Sequence, residues 1–364
     1  MSGADRRFMA LALSLGRRGM GRCAPNPAVG CVIVRQGRIV GRGWTAQGGR
    51  PHAETQALQQ AGAASRGATV YVSLEPCAHH GATPPCADAL IRAGVARVVA
   101  PFADNDARVA GRGFEMLRAA GIEVVTDVMA DEAGYDLAGF LMRNEQGRPW
   151  VTLKLATSLD GRIATATGQS QWITGPEARR FVHGLRGRHD AVMVGAGTAR
   201  ADDPTLTVRD LGLRHQPVRI VVSRRLDLPL MSNLARSANA VPLWLCHGTD
   251  VDPAIAQAWR GIGARLIACD VVSGQVSPGS VLRALGAEGL TRVLCEGGGT
   301  LAASLLAAGL VDELIGLTAG LAIGSEGLSG IGALGLARLD QAGRFRLVEL
   351  RKVGGDVMHR WRCA

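Results

Sequence analysis

Three short segments of this 364-residue sequence carry side chains able to hold a metal: His52-Ala53-Glu54, Glu75-Pro76-Cys77 and Pro84-Pro85-Cys86. One imidazole and two thiolates make three protein ligands, and a catalytic zinc takes three such ligands while keeping a fourth position for water. Zinc lowers the pKa of that water to about 7, which gives a hydroxide nucleophile at neutral pH. Glu54 lies two residues from His52 and is not needed as a ligand. It is therefore free to move a proton from the attacking water to a leaving amine. Helices starting near His52 and Cys86 place both ligands at positive helix ends, where a thiolate is favoured. Two bland readings compete: a structural zinc knot with His79 or His80 as fourth ligand, or unconnected core cysteines. Neither gives Glu54 a purpose.

A second group of residues lies beyond position 150. Leu153-Lys154-Leu155-Ala156 leads into Ser158-Leu159-Asp160-Gly161-Arg162 and Ser170-Gln171-Trp172-Ile173-Thr174. Gly195-Ala196-Gly197-Thr198, Ala201-Asp202-Asp203-Pro204 and Glu296-Gly297-Gly298-Gly299-Thr300 follow. The last of these ends an expected strand and opens an expected helix, a turn whose backbone N–H groups favour phosphate. Without a Gly-x-Gly-x-x-Gly fingerprint, a Rossmann dinucleotide fold is not expected. Lys154 is one of only two lysines, with Lys352, and its bland reading is a snorkelling strand residue. Core packing is the bland reading of Trp172, and a turn or helix cap that of Asp202-Asp203-Pro204.

The elements that must position these groups alternate. In the first half the pattern predicts a helix over Asp5–Gly16 and a hairpin of Val29–Val34 and Ile39–Gly43 across Gln36-Gly37. A helix starts near His52, followed by a strand at Thr69–Leu74, a helix at Cys86–Ala93 and a strand at Arg97–Ala100. Arg112–Ala120 and Ile122–Val125 add a helix and a strand. Asn144–Pro149, polar with Gly and Pro, reads as a linker. Beyond it strands are expected at Trp150–Ala156, Ala191–Val194, Val218–Val222, Val241–Cys246 and Arg292–Cys295. Helices are expected at Glu177–Arg186 and Thr300–Ala308. Leu314–Ala319 and Phe345–Val353 read as late strands, with Val357–Trp361 pairing against the latter across Gly354-Gly355. Two unrelated α/β domains in tandem are implied, residues 1–146 and 147–364, in keeping with the length.

Apolar residues form 47% and charged residues 20% of the chain, enough for two packed cores. The formal charge of +10 is spread without a run of five basic residues, which argues against a nucleic-acid tail. It fits pockets for phosphorylated small molecules, whose phosphates match the arginine fork. No stretch approaches the ~20 apolar residues of a membrane span. The N-terminal Arg6-Arg7 and Phe8–Gly16 make too short an apolar run for a secretory signal, so a cytoplasmic protein is expected. Cys23, Cys31, Cys246, Cys269, Cys295 and Cys363 sit singly among apolar or small residues and read as buried hydrophobes.

His-x-Glu followed by Pro-Cys and a second Cys marks the zinc nucleobase deaminases. Eight residues separate Cys77 from Cys86 here, against two in the cytidine and tRNA-adenosine enzymes. That insertion, with Pro25-Asn26-Pro27-Ala28-Val29-Gly30, closely resembles the bifunctional riboflavin-biosynthesis deaminase/reductase family. The family pattern is Pro-Asn-Pro-x-Val-Gly, His-Ala-Glu, and Glu-Pro-Cys-x-His-x-Gly-x-Thr-Pro-Pro-Cys, and each fixed position is met. The resemblance implies a cytidine-deaminase-like three-layer α/β/α domain followed by a dihydrofolate-reductase-like α/β domain. It implies one zinc ion per chain on His52, Cys77 and Cys86, with Glu54 as proton carrier, Asn26 against the pyrimidine and His79 shaping its pocket.

In the second half the likeness is strongest in Lys-x-x-x-Ser-x-Asp-Gly and Ala-Asp-Asp-Pro, and weak between Arg209 and Ala287. It implies that NADPH is bordered by Ala156, Trp172, Thr198, Asp202 and Ser223. The run Gly298, Gly299, Thr300, Leu301, Ala302, Ala303 and Ser304 borders it too. The ribose phosphate substrate is bordered by Ser170, Arg186, Leu206, Arg209 and Glu296. Arg186 and Arg209 suit a phosphate monoester, while Lys154 and Glu296 suit the proton movements that open a ribosylamine ring to a reducible imine. The implied reactions are hydrolytic deamination of 2,5-diamino-6-(5-phosphoribosylamino)pyrimidin-4-one, then reduction of its ribosyl side chain to ribityl. No nucleic acid or membrane partner is expected, and the family implies a homo-oligomer, dimer or tetramer. A nucleic-acid editing zinc deaminase with an accessory domain is the competing reading, and a zinc-stabilised binding module the third.

Overall fold

The computed structural model describes residues 2–79, 84–106 and 110–364, so His80 lies outside the described residues. The chain forms two compact units, one ending at Gly147 and the other beginning at Arg148.

In the first unit the elements run α1 (Gly3–Gly16), β1 (Gly30–Arg35), β2 (Arg38–Trp44), α2 (Ala53–Ala61) and β3 (Thr69–Val72). They continue with α3 (Cys86–Ala93), β4 (Arg97–Val99), α4 (Arg112–Ala119), β5 (Glu123–Val125) and α5 (Ala130–Gln146). The sheet order is β2-β1-β3-β4-β5, with β1 antiparallel to both neighbours and β3, β4 and β5 parallel. Gln36 and Gly37, both at positive φ, close the expected two-residue hairpin. Because side chains alternate along β1, Val32 and Val34 pack under Phe8, Met9 and Leu13 of α1. Cys31 and Ile33 face the opposite layer, with Ala57 of α2, Leu90 of α3 and Leu117 of α4. Both faces are covered, which makes the three layers expected from the alternation.

The linker expectation needs correcting. Asn144–Gln146 form the last turn of α5, a 17-residue helix stopped by Gly147 in the left-handed conformation. Ala133 and Leu137, four positions apart, bury one stripe of this helix, and its polar end is simply the solvent side. Two internal glycines hid that stripe in the sequence.

Glycines let α2 approach the sheet closely. A Cβ on Gly43 of β2 would stand 2.2 Å from the carbonyl oxygen of Ala53, and one on Gly41 would stand 2.1 Å from that of Ala57. The start of α2, which carries His52 and Glu54, is thereby set by backbone contact. Gly43→Ala should cost about 1–3 kcal/mol. It should also push His52 off its position. Thermal unfolding together with zinc content measures this; full zinc occupancy and an unchanged melting temperature would contradict it.

The second unit opens with β6 (Trp150–Thr157), β7 (Arg162–Ala164), α6 (Pro176–Arg186), β8 (Ala191–Gly195), α7 (Ala196–Asp202) and β9 (Val218–Val222). Next come α8 (Asn233–Arg236), β10 (Leu243–His247), α9 (Pro253–Gly261), β11 (Arg265–Ala268), β12 (Val271–Val272) and β13 (Gln275–Val276). It ends with α10 (Pro278–Ala287), β14 (Arg292–Gly297), α11 (Gly299–Ala307), β15 (Glu313–Thr318), β16 (Leu328–Ser329), β17 (Phe345–Val353) and β18 (Asp356–Cys363). Nine strands form one sheet in the order β11-β10-β9-β8-β14-β6-β15-β18-β17. The first seven are parallel and the last two antiparallel, with β17 and β18 joined across Gly354-Gly355 as their spacing predicts. β14 arrives late in the chain yet inserts between β6 and β8. Such a reversal of strand order opens a crevice at the carboxyl ends of the strands. Elements β7, α7, α8, α9, β11, β12, β13, α10 and β16 were not foreseen. Of the six cysteines read as buried, five are; Cys363, last residue of the edge-proximal β18, is exposed. Among the described residues no helix is long and apolar enough to cross a membrane.

Candidate active sites

His52 is the N-cap residue of α2, Glu54 lies in that helix's first turn, and Cys86 is the first residue of α3. Cys77 follows β3 on the connecting loop. Folding brings Nδ1 of His52 to 3.4 Å from Cys86 Sγ and 3.7 Å from Cys77 Sγ. A tetrahedral zinc with ordinary Zn–S and Zn–N bonds separates sulfur from nitrogen by about 3.6 Å. The donor set therefore fits such an ion, and all three ligand atoms lie within 4.8 Å of one another. Among the described residues the group has three members and Glu54 is not one of them.

Glu54 is 4% exposed. Burial, reinforced by the neighbouring Cys77 sulfur, pushes its carboxyl up to about 7. The two thiols are unequal. The Cys86 thiol and the Cys86 backbone N–H, 3.3 Å away, both serve the Cys77 sulfur and hold Cys77 down at about 4. Cys86 itself is pushed far up by giving its proton to Cys77 and by burial. The sequence reading credited the α3 terminus with stabilising a Cys86 thiolate; its first amide instead points at Cys77. Cys77→Ser should accordingly reduce zinc from about one per chain toward none. Metal analysis after dialysis measures this, and retained zinc would contradict the ligand set.

Asn26 donates from Nδ2 to the Gly49 carbonyl oxygen at 2.9 Å, which fixes the amide and leaves Oδ1 without a partner among the described residues. His79, two residues past Cys77, has a buried Nδ1 with no hydrogen-bond partner among the described residues. A buried orphan of this kind is normally satisfied by something bound.

In the second unit a cavity of about 1520 Å³ opens at the carboxyl ends of β6, β8, β9 and β14. Lys154 and Ala156 of β6 line it, with Ser170 and Trp172 of the following loop and Arg186 of α6. Thr198 and Asp202 of α7, Leu206 and Arg209 beyond it, Ser223 after β9 and Glu296 of β14 line it too. From the glycine-rich run the lining includes Gly298, Gly299, Thr300, Leu301 and Ser304. Ala302 and Ala303 do not line it; Ala302 packs in the core and Ala303 is buried. These two occupy the inner face of α11, so the run contributes through its start and one helical face only.

Arg186 grips Glu296 with a two-pronged contact, Nε to Oε1 at 2.5 Å and Nη2 to Oε2 at 2.9 Å. Burial alone would raise the Glu296 carboxyl; Arg186 and Lys154 outweigh it and hold it below the usual range. The Lys154 ammonium makes no hydrogen bond or close ion pair among the described residues. Burial lowers it, against the pull of Glu296 and Asp202. Lys154 is thus a cation beside two carboxylates and bound tightly to neither. Asp203, by contrast, is structural: it accepts from the Asn233 backbone N–H at 2.7 Å and its carbonyl takes the Asn233 amide at 2.8 Å. Half of the capping reading thus holds, for Asp203 and not for Asp202.

Gly297 and Gly298 adopt positive φ, and α11 begins at Gly299 with no side-chain cap. Thr198 Oγ1 donates to the Gly297 carbonyl at 3.3 Å and sits 2.7 Å from where a Gly298 Cβ would be. Two consecutive glycines at positive φ leave the first amides of α11 without a side-chain cap beside the cavity. Trp172 is 65% exposed, with the Arg179 guanidinium 4.5 Å from its ring, so the core-packing alternative fails. Ser223 donates to Asp227 at 2.9 Å, which also meets Arg200 at 2.8 Å. His183, Arg179, Arg224 and Arg225 also line the cavity and went unnoticed in the sequence. His183 and Arg179 were legible as one helical face with Arg186; Arg224 and Arg225 lie where the resemblance was weak.

A family model for the "RibD C-terminal domain" matches residues 149–359, and one for the "Cytidine and deoxycytidylate deaminase zinc-binding region" matches residues 2–101. The riboflavin biosynthesis protein RibD of Escherichia coli (strain K12) is 42% identical over 365 residues, covering 97% of this chain and 98% of that protein. Its counterpart in Aquifex aeolicus is 39% identical, with 97% of each chain covered. Among solved structures, Acinetobacter baumannii RibD superposes with a TM-score of 0.88 at 36% identity over 99% of both chains. A Thermotoga maritima diaminohydroxyphosphoribosylaminopyrimidine deaminase/5-amino-6-(5-phosphoribosylamino)uracil reductase gives 0.87 at 32% identity over 99% of both.

Proposed function

The chain belongs to the RibD family of bifunctional riboflavin-biosynthesis deaminase/reductases, and from that membership we infer how its two halves divide the chemistry. It is a zinc-type deaminase and a reductase in one chain, acting on a phosphorylated pyrimidine. Residues 1–146 carry the deamination and residues 147–364 the reduction, with zinc and NADPH as the respective cofactors.

His52, Cys77 and Cys86 would hold the zinc, which when bound would supply Lewis acidity and bring the ionisation of a water near neutral pH. Asn26 Oδ1 accepts from the pyrimidine and His79 closes the pocket around it. Glu54 takes a proton from the water that adds to the ring carbon bearing the 2-amino group. It then returns that proton to the departing nitrogen, which leaves as ammonia. The low-dielectric position of Glu54 keeps its affinity for that proton in the useful range.

In the second unit a bound NADPH would provide hydride-donor chemistry for C1′ of the opened ribosylamine. The turn at Gly298, Gly299 and Thr300 would hold cofactor phosphate, and Trp172, Thr198, Asp202 and Ser223 would border the cofactor. Ala156, Leu301 and Ser304 complete its wall. Arg186 and Arg209 hold the substrate phosphate with Ser170 and Leu206, while Lys154, facing Glu296, delivers the proton that ring opening requires. The observation that carries this reading is the pairing of two independent sites in one chain. One is a three-ligand metal group with a buried spare carboxylate. The other is a cavity holding an unpaired ammonium beside a clamped glutamate. A homo-oligomer, dimer or tetramer, is favoured by exposed Leu347 and Leu350 on edge strand β17, and a cytoplasmic location follows from the family alone.

The test is incubation of the zinc-loaded protein with the diaminopyrimidinone, with and without NADPH. Ammonia should appear without NADPH, and NADPH oxidation should follow only after deamination. Reduction preceding ammonia release would reverse the assigned order.

A further inference from the structure

His183 lies on α6 three residues before Arg186, so both project from one helix face into the cavity. Its Nδ1 is occupied by the chain segment that follows α7. It stands 3.2 Å from the Thr207 carbonyl oxygen and 3.3 Å from the Arg209 backbone nitrogen. Arg186 reaches the same Thr207 carbonyl from Nη1 at 2.9 Å. This segment presents Leu206 and Arg209, and α6 grips it through three side chains, Arg180 reaching the Asp210 carbonyl at 3.1 Å as well. The outer ring nitrogen, Nε2, has no hydrogen bond among the described residues although the ring lines the cavity. His183 therefore stands between Arg186 and Arg209 with one nitrogen committed inward and one uncommitted.

We propose that His183 is a third phosphate-binding side chain of the reductase site, donating from Nε2 to the substrate's ribose phosphate and taking up a proton when that dianion binds. This rests on the reading of the cavity as the phosphoribosyl site. The charges that face the ring are Arg186 on its own helix, Arg209 on the adjoining segment and Glu296 at the end of β14. Lys154 and Asp202 lie in the same cavity. Burial and the two guanidiniums keep the free imidazole below its ordinary value, so it enters neutral at pH 7. A phosphate dianion against Nε2 reverses the local charge and raises it. A group whose pKa rises on binding strengthens affinity fully below its free-state pKa and stops doing so as pH climbs through its bound-state pKa. Affinity for the dianion, after allowance for the phosphate's own ionisation at about pH 6, should therefore fall from about pH 6 to pH 8.

Calorimetric titration of the full chain with ribose 5-phosphate, in two buffers of different ionisation enthalpy, reads both affinity and proton uptake. Wild-type protein should take up a fraction of a proton near pH 7. Asparagine places its amide where Nδ1 lies and glutamine where Nε2 lies, which separates the two functions. His183→Asn, which retains the inward contact, should weaken ribose 5-phosphate about ten- to a hundredfold and leave ribose, which lacks the phosphate, unaffected. His183→Gln should recover part of that affinity but show no proton uptake. Wild-type binding and proton uptake that both persist in His183→Asn would overturn the assignment of His183 alone. Absence of ribose 5-phosphate binding by the wild type would overturn the phosphoribosyl reading and this proposal together. A purely structural histidine would lower melting temperature and affinities for both ligands, without a change in proton uptake.

Discussion

Glu54→Gln should lower deamination by roughly two to four orders of magnitude while leaving zinc content and reduction of the deaminated intermediate unchanged. Glutamine preserves the shape and the burial of the side chain but cannot accept and return a proton. The geometry explains why the loss should be confined to one reaction: Glu54 lies on α2 of the first unit, outside the metal group, and the cavity with Lys154 is in the second. Glu54 must be ionised to accept a proton from water. The rate should thus fall as pH drops through its folded value, raised to about 7 by burial and Cys77. Zinc neutralises sulfur charge, which removes part of that upward push, so the acid limb of kcat/KM should lie at or below 7. Ammonia release measured across pH 5 to 9 in wild type and Glu54→Gln tests both statements. A variant retaining a tenth of wild-type deamination would remove Glu54 from the role of proton carrier.

Lys154→Met should be the mirror image. Methionine keeps the unbranched stem and deletes the ammonium, so no large void is left in β6. Reductase kcat should fall by about two to three orders of magnitude. Deamination should be unchanged, and NADPH affinity, read by fluorescence titration, should move only a few-fold. The Arg186–Glu296 grip does not involve Lys154 and should survive, which keeps the phosphate wall in place. Burial lowers the Lys154 ammonium. Reduction that needs the protonated form should therefore decline with rising pH through a value below the ordinary lysine range. Equal damage to both reactions would mean that the chemistry is not divided between the units as proposed.

The metal group was the most legible part of the molecule because its information is local. His52 with Glu54, and the Pro-Cys turns around Cys77 and Cys86, each carry their own helix start or loop. The cavity was less legible. Arg186 and Glu296 are 110 residues apart, and their contact exists because β14 inserts between β6 and β8 in the parallel ladder. Nothing in either local sequence specifies that insertion. The placement of Ala302 and Ala303 on the inner face of α11 shows the same limit at smaller scale: a contiguous motif was read as contiguous lining, although a helix presents only one of its faces to the cavity. The linker over Asn144–Pro149 was misread for a related reason. Composition records polarity, but only burial of Ala133 and Leu137 against the first unit's core tells a solvated helix face from a loop.

What the amino-acid order determined by itself was the chemical inventory: two sulfurs and an imidazole able to hold a metal, a carboxylate outside that group, and one of only two lysines. Short-range backbone sterics and capping preferences place each of these groups on its own element, while packing of α2 against α3 brings them together. Which Arg faces which Glu, which sulfur receives the first amide of α3, and that His183 stands beside two guanidiniums were decided by strand order and helix packing. Those contacts join segments whose proximity is set by burying two whole cores, a cooperative outcome that no short window of sequence contains.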